Sequence, residues 1–573
     1  PGWTSYSKRL QYQAYDVTSL IKAGDNAIGV RLGYGWYKSP LGWGVKFNEE
    51  IKDRNLALLF QLELVYTDGS VETIGSDERW KQGVGAIQRS EIYAGEFIDG
   101  RKEPEGWLYA GFDDSAWNPV NIEPDGKPRL VASESEPVRR REALAPCGIS
   151  LTAEGDWLVD FGQNIAGYVE ITATGQPGDS IVVEHAEILD QRGEFYTENL
   201  RTAQSTNTYV LAGKGKEKFF PHFTFQGFRY IRVKGLRREP TASDFKAFAL
   251  YTDMAETGSF SCSHPLINQL QKNIAWGQKG NFLDVPTDCP QRDERLGWTG
   301  DAQVFAATAS FNMNVHNFFA KWLKDLALDQ FENGIVPYVI PHVLDDSVSS
   351  GSAGWADAAT IIPWQMYQAY GDRQLLAEQY HSMKAWVEYM RRESVNDLWK
   401  PRKRQIGDWL SYIPASFLDV SKSAHTDMHL IAQCFFAHST SLVVKAAQVL
   451  GRDEDVIIYT ALLERIRKAF SDEYVTPNGS LVSNTQTAYL LALNFDLLAG
   501  YQTANAVKKL VENINDYGRH LTTGFLGTPY LCAVLTRYGH LDLAYELLLK
   551  EDYPSWLYPV TLGATTIWER WDG

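Results

Sequence analysis

A chain of 573 residues, 44% hydrophobic and 22% charged, has ordinary globular composition and more apolar material than one core holds, so several domains are expected. A formal net charge of −16 at pH 7 sets the average surface against polyanions, and no nucleic-acid partner is expected. No uninterrupted apolar run of about 18 residues offers a bilayer span and no basic-then-apolar start resembles a secretory signal, so no membrane association is expected and a cytoplasmic location is slightly favoured over secretion.

From Pro1 to about Thr252 the sequence is strand-like. Leu56 to Tyr66, the turn Thr67-Asp68-Gly69-Ser70 and Val71 to Ile74 predict a hairpin, because a short polar turn with glycine separates two apolar alternations. The same style returns at Asp156 to Phe161, Gly167 to Thr174 and Ser180 to Glu187, punctuated by Gly175, Pro177 and Gly178. Two antiparallel β-sandwich domains are expected, 1–134 and 135–256, divided within the charged stretch Ser133 to Arg141.

After Glu256 the apolar period changes from two to 3.6. Ser263 is positioned to cap a helix with Pro265 in its first turn and Leu266, Ile267, Leu270 and Ile274 on one face. Val315, Phe318, Phe319, Trp322, Leu323 and Leu326 form a second stripe, and Leu376 to Met390 and Val456 to Phe470 form two more. Glycines at Gly371, Gly451 and Gly539 mark helix ends. Repeated helical hairpins over 257–573 predict an α/α barrel of helix and loop, which gathers its inner-helix starts at one end. Cys147, Cys262, Cys289, Cys434 and Cys532 lack the close pairing of metal or disulfide frameworks and are expected mostly as buried thiols. The chain starts at Pro1 without methionine and stops just after a tryptophan-rich segment, so it is expected to be a piece of a longer protein.

The segment richest in chemistry is Asp284 to Asp301, which combines carboxylates and arginines with prolines, glycines and a tryptophan. Prolines and glycines forbid a continuous helix, so a shaped loop is expected to run into a helix near Asp301. A second segment, Gly563 to Asp572, places Glu569 between Trp568 and Trp571, where loss of water raises a carboxyl pKa and Arg570 opposes it. Gly354-Trp355-Ala356-Asp357 and Gly407-Asp408-Trp409 read as further loop-to-helix junctions, each tryptophan being either a core wedge or an apolar wall for a sugar. Asp357 fits equally an ordinary first-turn residue beside a helix dipole. No P-loop, dinucleotide glycine pattern, HExxH or GxSxG occurs, and His425 and His429, four apart on an expected helix, lack a third ligand, so no metal and no cofactor are expected. Glycoside hydrolysis needs one carboxyl to protonate the leaving oxygen and another to handle water or the sugar carbon, and Glu294 and Glu569 are the chosen pair.

The run Asp288-Cys-Pro-Gln-Arg-Asp-Glu-Arg-Leu-Gly-Trp-Thr-Gly-Asp301 resembles the signature loop of the bacterial α-L-rhamnosidases, and Gly354-Trp355 and Ile567-Trp-Glu-Arg-Trp571 resemble two further blocks. Pro1-Gly-Trp-Thr and Tyr34-Gly-Trp-Tyr are similar to that family's N-terminal sandwich, and Val159-Asp-Phe-Gly-Gln-Asn164 to its concanavalin-like second one. The resemblance implies an (α/α)6 barrel, truncated at its C-terminal end, that releases terminal α-L-rhamnose from rhamnose-containing glycosides or oligosaccharides with inversion. It implies Glu294 as general acid and Glu569 as general base, with Asp288, Arg292, Trp298 and Asp301 holding the sugar and Trp355 and Trp409 as apolar walls. Inversion implies carboxyls about 6.5 to 9.5 Å apart. Members continue past the base into a segment with a sugar-contacting histidine, which this chain lacks. The alternatives are another inverting glycosidase or a lyase on the same scaffold, and a non-catalytic carbohydrate-binding protein. Aglycone, linkage and oligomeric state stay open.

Overall fold

A computed structural model describes residues 2–42, 45–123, 128–346, 350–413 and 424–573; Pro1, which opens the N-terminal motif, lies outside them. The chain divides into two compact units, one of Pro1–Ser133, Val138–Tyr251 and Cys289–Arg295, the other of Glu134–Pro137, Thr252–Asp288 and Leu296–Gly573. The first is β-rich and the second is helical.

In the β-rich unit the expected hairpin forms from Gln61–Val65 and Val71–Gly75, with Val65 opposite Val71. Its turn closes through Tyr66 N donating to Ser70 O at 2.9 Å, and Gly69 takes φ +83°, a conformation that favours glycine. The main sheet has ten strands along the order Ile87–Glu91, Gly95–Asp99, Thr206–Val210, Ser180–Ala186, Gln226–Lys234, Trp157–Thr174, Phe245–Thr252 and Val138–Leu144, and Gly148–Leu151 and Lys216–Phe219 also pair with Trp157–Thr174. Strands from both sides of residue 134 therefore share one sheet. The separate strands expected at 156–161 and 167–174 are a single strand, because its register against Gln226–Lys234 shifts between Asp160 and Ile165 instead of ending there. Val159, Phe161, Ile165, Val169, Ile171 and Ala173 are buried and pack with Ile181, Val183, Phe228, Ile231 and Val233, so alternation along each strand builds the core. Gly167 is required where strands meet closely, since a Cβ there falls 1.9 Å from the carbonyl oxygen of Phe248.

In the helical unit Pro265–Asn281 forms as expected, but its N-cap is His264 and no side chain caps it, so Ser263 does not serve. Ile267 and Leu270 join Leu557 and Val560 in a core cluster, with Leu266 and Ile274 against it. The second stripe becomes His316–Asp329, and the next two lie in Arg373–Glu393 and Asp453–Tyr474. Gly371 and Gly451 close their helices in the left-handed conformation. Successive helices pack as pairs, Ala358–Tyr370 on Arg373–Glu393 and Met428–Leu450 on Asp453–Tyr474. Alternate helices also touch in series, from Thr299–Asn312 through Ala358–Tyr370, Met428–Leu450 and Gln486–Asn494 to Leu531–Arg537. Gln486–Asn494 is buried on nearly every side while Asp453–Tyr474 buries one face.

Met428–Leu450 has the length and composition of a membrane span, but 83% of its apolar window is buried in the unit, which marks it as a core helix. The region is not wholly helix and loop, since Phe282–Leu283 pairs with Val285–Pro286. The cysteines are less uniform than expected: Cys289 and Cys434 are buried, Cys532 is intermediate, and Cys147 and Cys262 are exposed.

Candidate active site

Within the β-rich unit, the course of Cys289–Arg295 is set by Arg295, a fully buried residue with φ +52°. Its Nε donates to Arg292 O, Nη1 to Ile92 O and Phe225 O, and Nη2 to Gln226 Oε1 and Gln291 O, at 2.7 to 3.1 Å. All five N–H groups are thus satisfied by neutral oxygens, and the rings of Tyr93 and Phe225 lie 5.4 and 5.2 Å from the guanidinium carbon. Burial pulls the Arg295 pKa below its ordinary value. The neighbouring Glu294 is tied at its backbone by Tyr93 Oη, which donates to Glu294 O at 2.6 Å.

The Glu294 side chain is only 7% exposed, and its Oε2 accepts from Arg292 Nε at 2.9 Å and Arg201 Nη1 at 3.1 Å. Burying a carboxylate costs several kcal/mol unless it is paired, and two guanidiniums supply that pairing while fixing the rotamer. Thr202 Oγ1 donates to Asp293 Oδ2 at 2.5 Å, which pins the segment carrying Arg201 to this loop. In the same unit, Asp160 in the motif Val159 to Asn164 accepts a bidentate pair from Arg229 at 2.9 Å, and Asn164 Nδ2 donates to Glu187 Oε1 at 2.8 Å. Burial raises the Glu187 pKa, against the Asn164 hydrogen bond and the charges of Arg292 and Arg295.

In the helical unit, Asp288 N donates to Leu296 O at 3.0 Å and Asp288 Oδ1 accepts from Leu296 N at 2.9 Å, a reciprocal pair that fixes where the loop leaves and returns. Trp298 precedes the helix Thr299–Asn312 and stacks on Tyr338 with ring centres 6.1 Å apart. Asp301 lies half-buried in that helix's first turn, where the dipole favours a carboxylate. Trp355 is 2% exposed and lies on Gly300 of the same helix, where a Cβ would fall 2.4 Å from its Nε1. Asp357 is fully buried; its carboxylate accepts from Gly354 N, Trp386 Nε1 and Ser439 Oγ, and burial pushes its pKa up to about 6. It stands at the N-cap of Ala358–Tyr370, next to the first turn considered from sequence, and ties that helix to Trp386 and Ser439 on two others.

Asp408 is also buried and accepts from Thr487 Oγ1 and the backbone N–H groups of Gly524, Leu526 and Gly527. That anchor holds up Trp409, 46% exposed, whose carbonyl accepts from Phe525 N at 2.9 Å. The expected helix at Leu410 does not form: Leu410 takes φ +58° in a turn. His425 likewise precedes the helix Met428–Leu450 that carries His429, so the two histidines do not form a helical i, i+4 pair. Glu569 is exposed, so the water loss expected between two tryptophans does not occur, and Arg570 pairs with Asp572 at 3.0 Å. Asn273 Nδ2 anchors this end by donating to Ala564 O at 2.8 Å.

Arg292 and Glu294 thus meet directly, and Asp288, Trp298, Asp301 and Trp355 gather around one helix start, while Trp409 and Glu569 stand on segments of their own. Sequence reasoning missed Arg201, which lies 93 residues before Glu294. No spacing or motif signals a contact made only by the fold.

The family model of the bacterial alpha-L-rhamnosidase 6 hairpin glycosidase domain matches residues 255–573, that of the alpha-L-rhamnosidase N-terminal domain matches 1–142, and that of the bacterial alpha-L-rhamnosidase concanavalin-like domain matches 150–251. A curated alpha-L-rhamnosidase of Streptomyces avermitilis is 42% identical over 573 residues, covering all of this chain and 54% of the relative. One of Formosa agariphila is 42% identical over 578 residues, covering all of this chain and 61% of the relative. A crystal structure of the Streptomyces avermitilis alpha-L-rhamnosidase complexed with L-rhamnose superposes with a TM-score of 0.92 at 41% identity, over all of this chain and 54% of that one. The chain therefore spans a little over half the length of these relatives.

Proposed function

The chain belongs to the bacterial α-L-rhamnosidases, and we propose that it supplies the machinery by which its protein releases terminal α-L-rhamnose from rhamnosides with inversion. In this reading the β-rich domains are sandwiches and the helical domain is an (α/α)6 barrel. Glu294 is the general acid on the glycosidic oxygen, and Glu569 is the general base that activates water. Asp288, Arg292, Trp298 and Asp301 hold the sugar, and Trp355 and Trp409 form apolar walls. The observation that carries the reading is the position of the Glu294 carboxyl, 7% exposed on a loop whose path Tyr93 and Arg295 fix. A surface loop has no need to bury and orient one carboxyl in this way, whereas a proton donor works only from a defined position.

Exposure of Glu569 suits its assigned role, because a base for inversion must hold a water. No step calls for a cofactor. The test follows the first product anomer by proton NMR and compares wild type with Glu294→Gln on aryl and methyl α-L-rhamnosides. β-L-rhamnose is expected first, and the variant should lose about 100- to 10,000-fold on the methyl glycoside but far less on an activated aryl one. Full turnover of the methyl glycoside by the variant removes Glu294 from the role, and α-L-rhamnose as first product removes inversion.

A further inference from the structure

Arg201 stands at the carboxylate assigned as general acid, and it is built differently from Arg292. Arg292 is 14% exposed, whereas the Arg201 side chain is 47% exposed while its Nη1 reaches Glu294 Oε2 at 3.1 Å. Among the described residues, the other carboxylate oxygen near it is Asp293 Oδ1, at 3.9 Å. One corner of the guanidinium is committed and the remaining N–H groups face solvent. The position is held, not floppy: Thr202 is bonded to Asp293, and Arg201 takes φ 57°, ψ −115°, a strained conformation for a residue with a side chain. Ser205, four residues on, is also left-handed at φ 46° and anchors through Ser205 N donating to Tyr93 O at 2.9 Å. Strain of this kind, about 1–3 kcal/mol per residue, persists only where surrounding contacts over-determine the conformation, and it concentrates at ligand-binding positions.

We propose that Arg201 is a specificity-determining residue for the leaving group, donating through its solvent-facing N–H groups to the hydroxyl oxygens of an uncharged sugar attached to the glycosidic oxygen. The inference rests on the reading of Glu294 as general acid, because whatever binds that carboxyl's proton is the leaving oxygen, and the group attached to it lies within a residue's reach of Arg201. An acidic leaving group gains less here, since Asp293, with Oδ1 3.9 Å from Arg201 Nη1, already offsets the guanidinium and repels another carboxylate. A plain aromatic group offers the outward N–H groups no strong acceptor. A hydroxylated ring offers several, with no charge to repel.

The experiment compares kcat/KM of wild type, Arg201→Met and Arg201→Lys on a rhamnosyl-glucose disaccharide and on methyl α-L-rhamnoside. Both substrates have poor leaving groups that need the acid, but only the first carries leaving-group hydroxyls. The ratio of disaccharide to methyl activity should fall at least tenfold in Arg201→Met and recover in part in Arg201→Lys, which keeps charge and donors. An unchanged ratio, including equal losses on both substrates, assigns Arg201 to holding Glu294 and overturns the proposal. The ratio is read with Glu294 intact, so its failure is distinct from full turnover of the methyl glycoside by Glu294→Gln, which sinks the reading of the acid.

Discussion

The two glutamates proposed for catalysis are presented in opposite ways. Glu294 sits in a loop whose next residue, Arg295, gives every N–H to a protein oxygen, and its own carboxylate is held by two arginines. Glu569 is exposed near the chain's end, and the arginine beside it in sequence is taken by Asp572. The difference follows the chemistry asked of each. A proton donor has to face one oxygen and gains from a fixed rotamer, while a group that recruits water has to remain reachable by it.

The sharpest way to break this comparison is Glu569→Gln. Because water attack is common to every rhamnoside in an inverting reaction, turnover should fall about 1,000-fold or more whatever the leaving group, in contrast to the leaving-group-dependent loss of Glu294→Gln. Parallel leaving-group dependence in the two variants would remove the division of roles. Next in size is Arg295→Met, which strands buried carbonyls of Ile92, Phe225 and Gln291 and should cost about 3 kcal/mol or more of stability, read from a denaturant midpoint. An unshifted midpoint would show that the loop owes its path to something else.

The pH dependence of the β-rich unit sharpens how that loop is supported. His185, edge-on to the Phe228 ring and with Nδ1 2.7 Å from Ser205 O, has its pKa lowered to about 4 chiefly by burial, so its stability is full above 6.5 and lost as pH falls toward 4. Glu96, wholly buried, has its pKa raised to about 7 chiefly by burial, so its stability is full below 4.5 and lost as pH rises through 7. The opposed slopes offset each other between these limits. Glu96→Gln should leave the His185 slope uncovered, giving a gain of about 3 kcal/mol over wild type between pH 4.5 and 8 in chemical denaturation. A pH-independent difference would contradict the assignment. Smallest is Trp409→Ala: the ring is 46% exposed on a turn anchored by Asp408, so KM for rhamnosides should rise severalfold, a loss of about 1 kcal/mol, with little change in thermal midpoint. A large fall in the midpoint would return Trp409 to a core role.

Much of the molecule was legible before any fold was known, and particular residues show why. Phe318, Phe319, Trp322, Leu323 and Leu326 are all fully buried as their spacing predicts, since a helix repeats its buried face every 3.6 residues whatever surrounds it. Gly371 and Gly451 end helices for an equally local reason, the left-handed backbone. The signature loop around Glu294 was marked by its own composition. The single strand at 157–174 looks like two in the apolar pattern, because the register shift between Asp160 and Ile165 imitates a chain break. Trp355 and Trp409, alike in sequence context, differ in exposure, 2% against 46%, a distinction made by Gly300 and by the segment Gly524 to Gly527 far along the chain.

What the sequence determined alone is whatever depends on neighbours along the chain: helix and strand periods, helix ends, and the residues concentrated in the signature loop. What only the tertiary structure decided is which groups meet across long separations, namely Arg201 on Glu294, the neutral cage around Arg295, and the ties that bury Asp357 and Asp408. The physical reason is range. Backbone preferences act over a few residues and leave a periodic trace, whereas burial and charge pairing depend on distance in space, which linear order does not record.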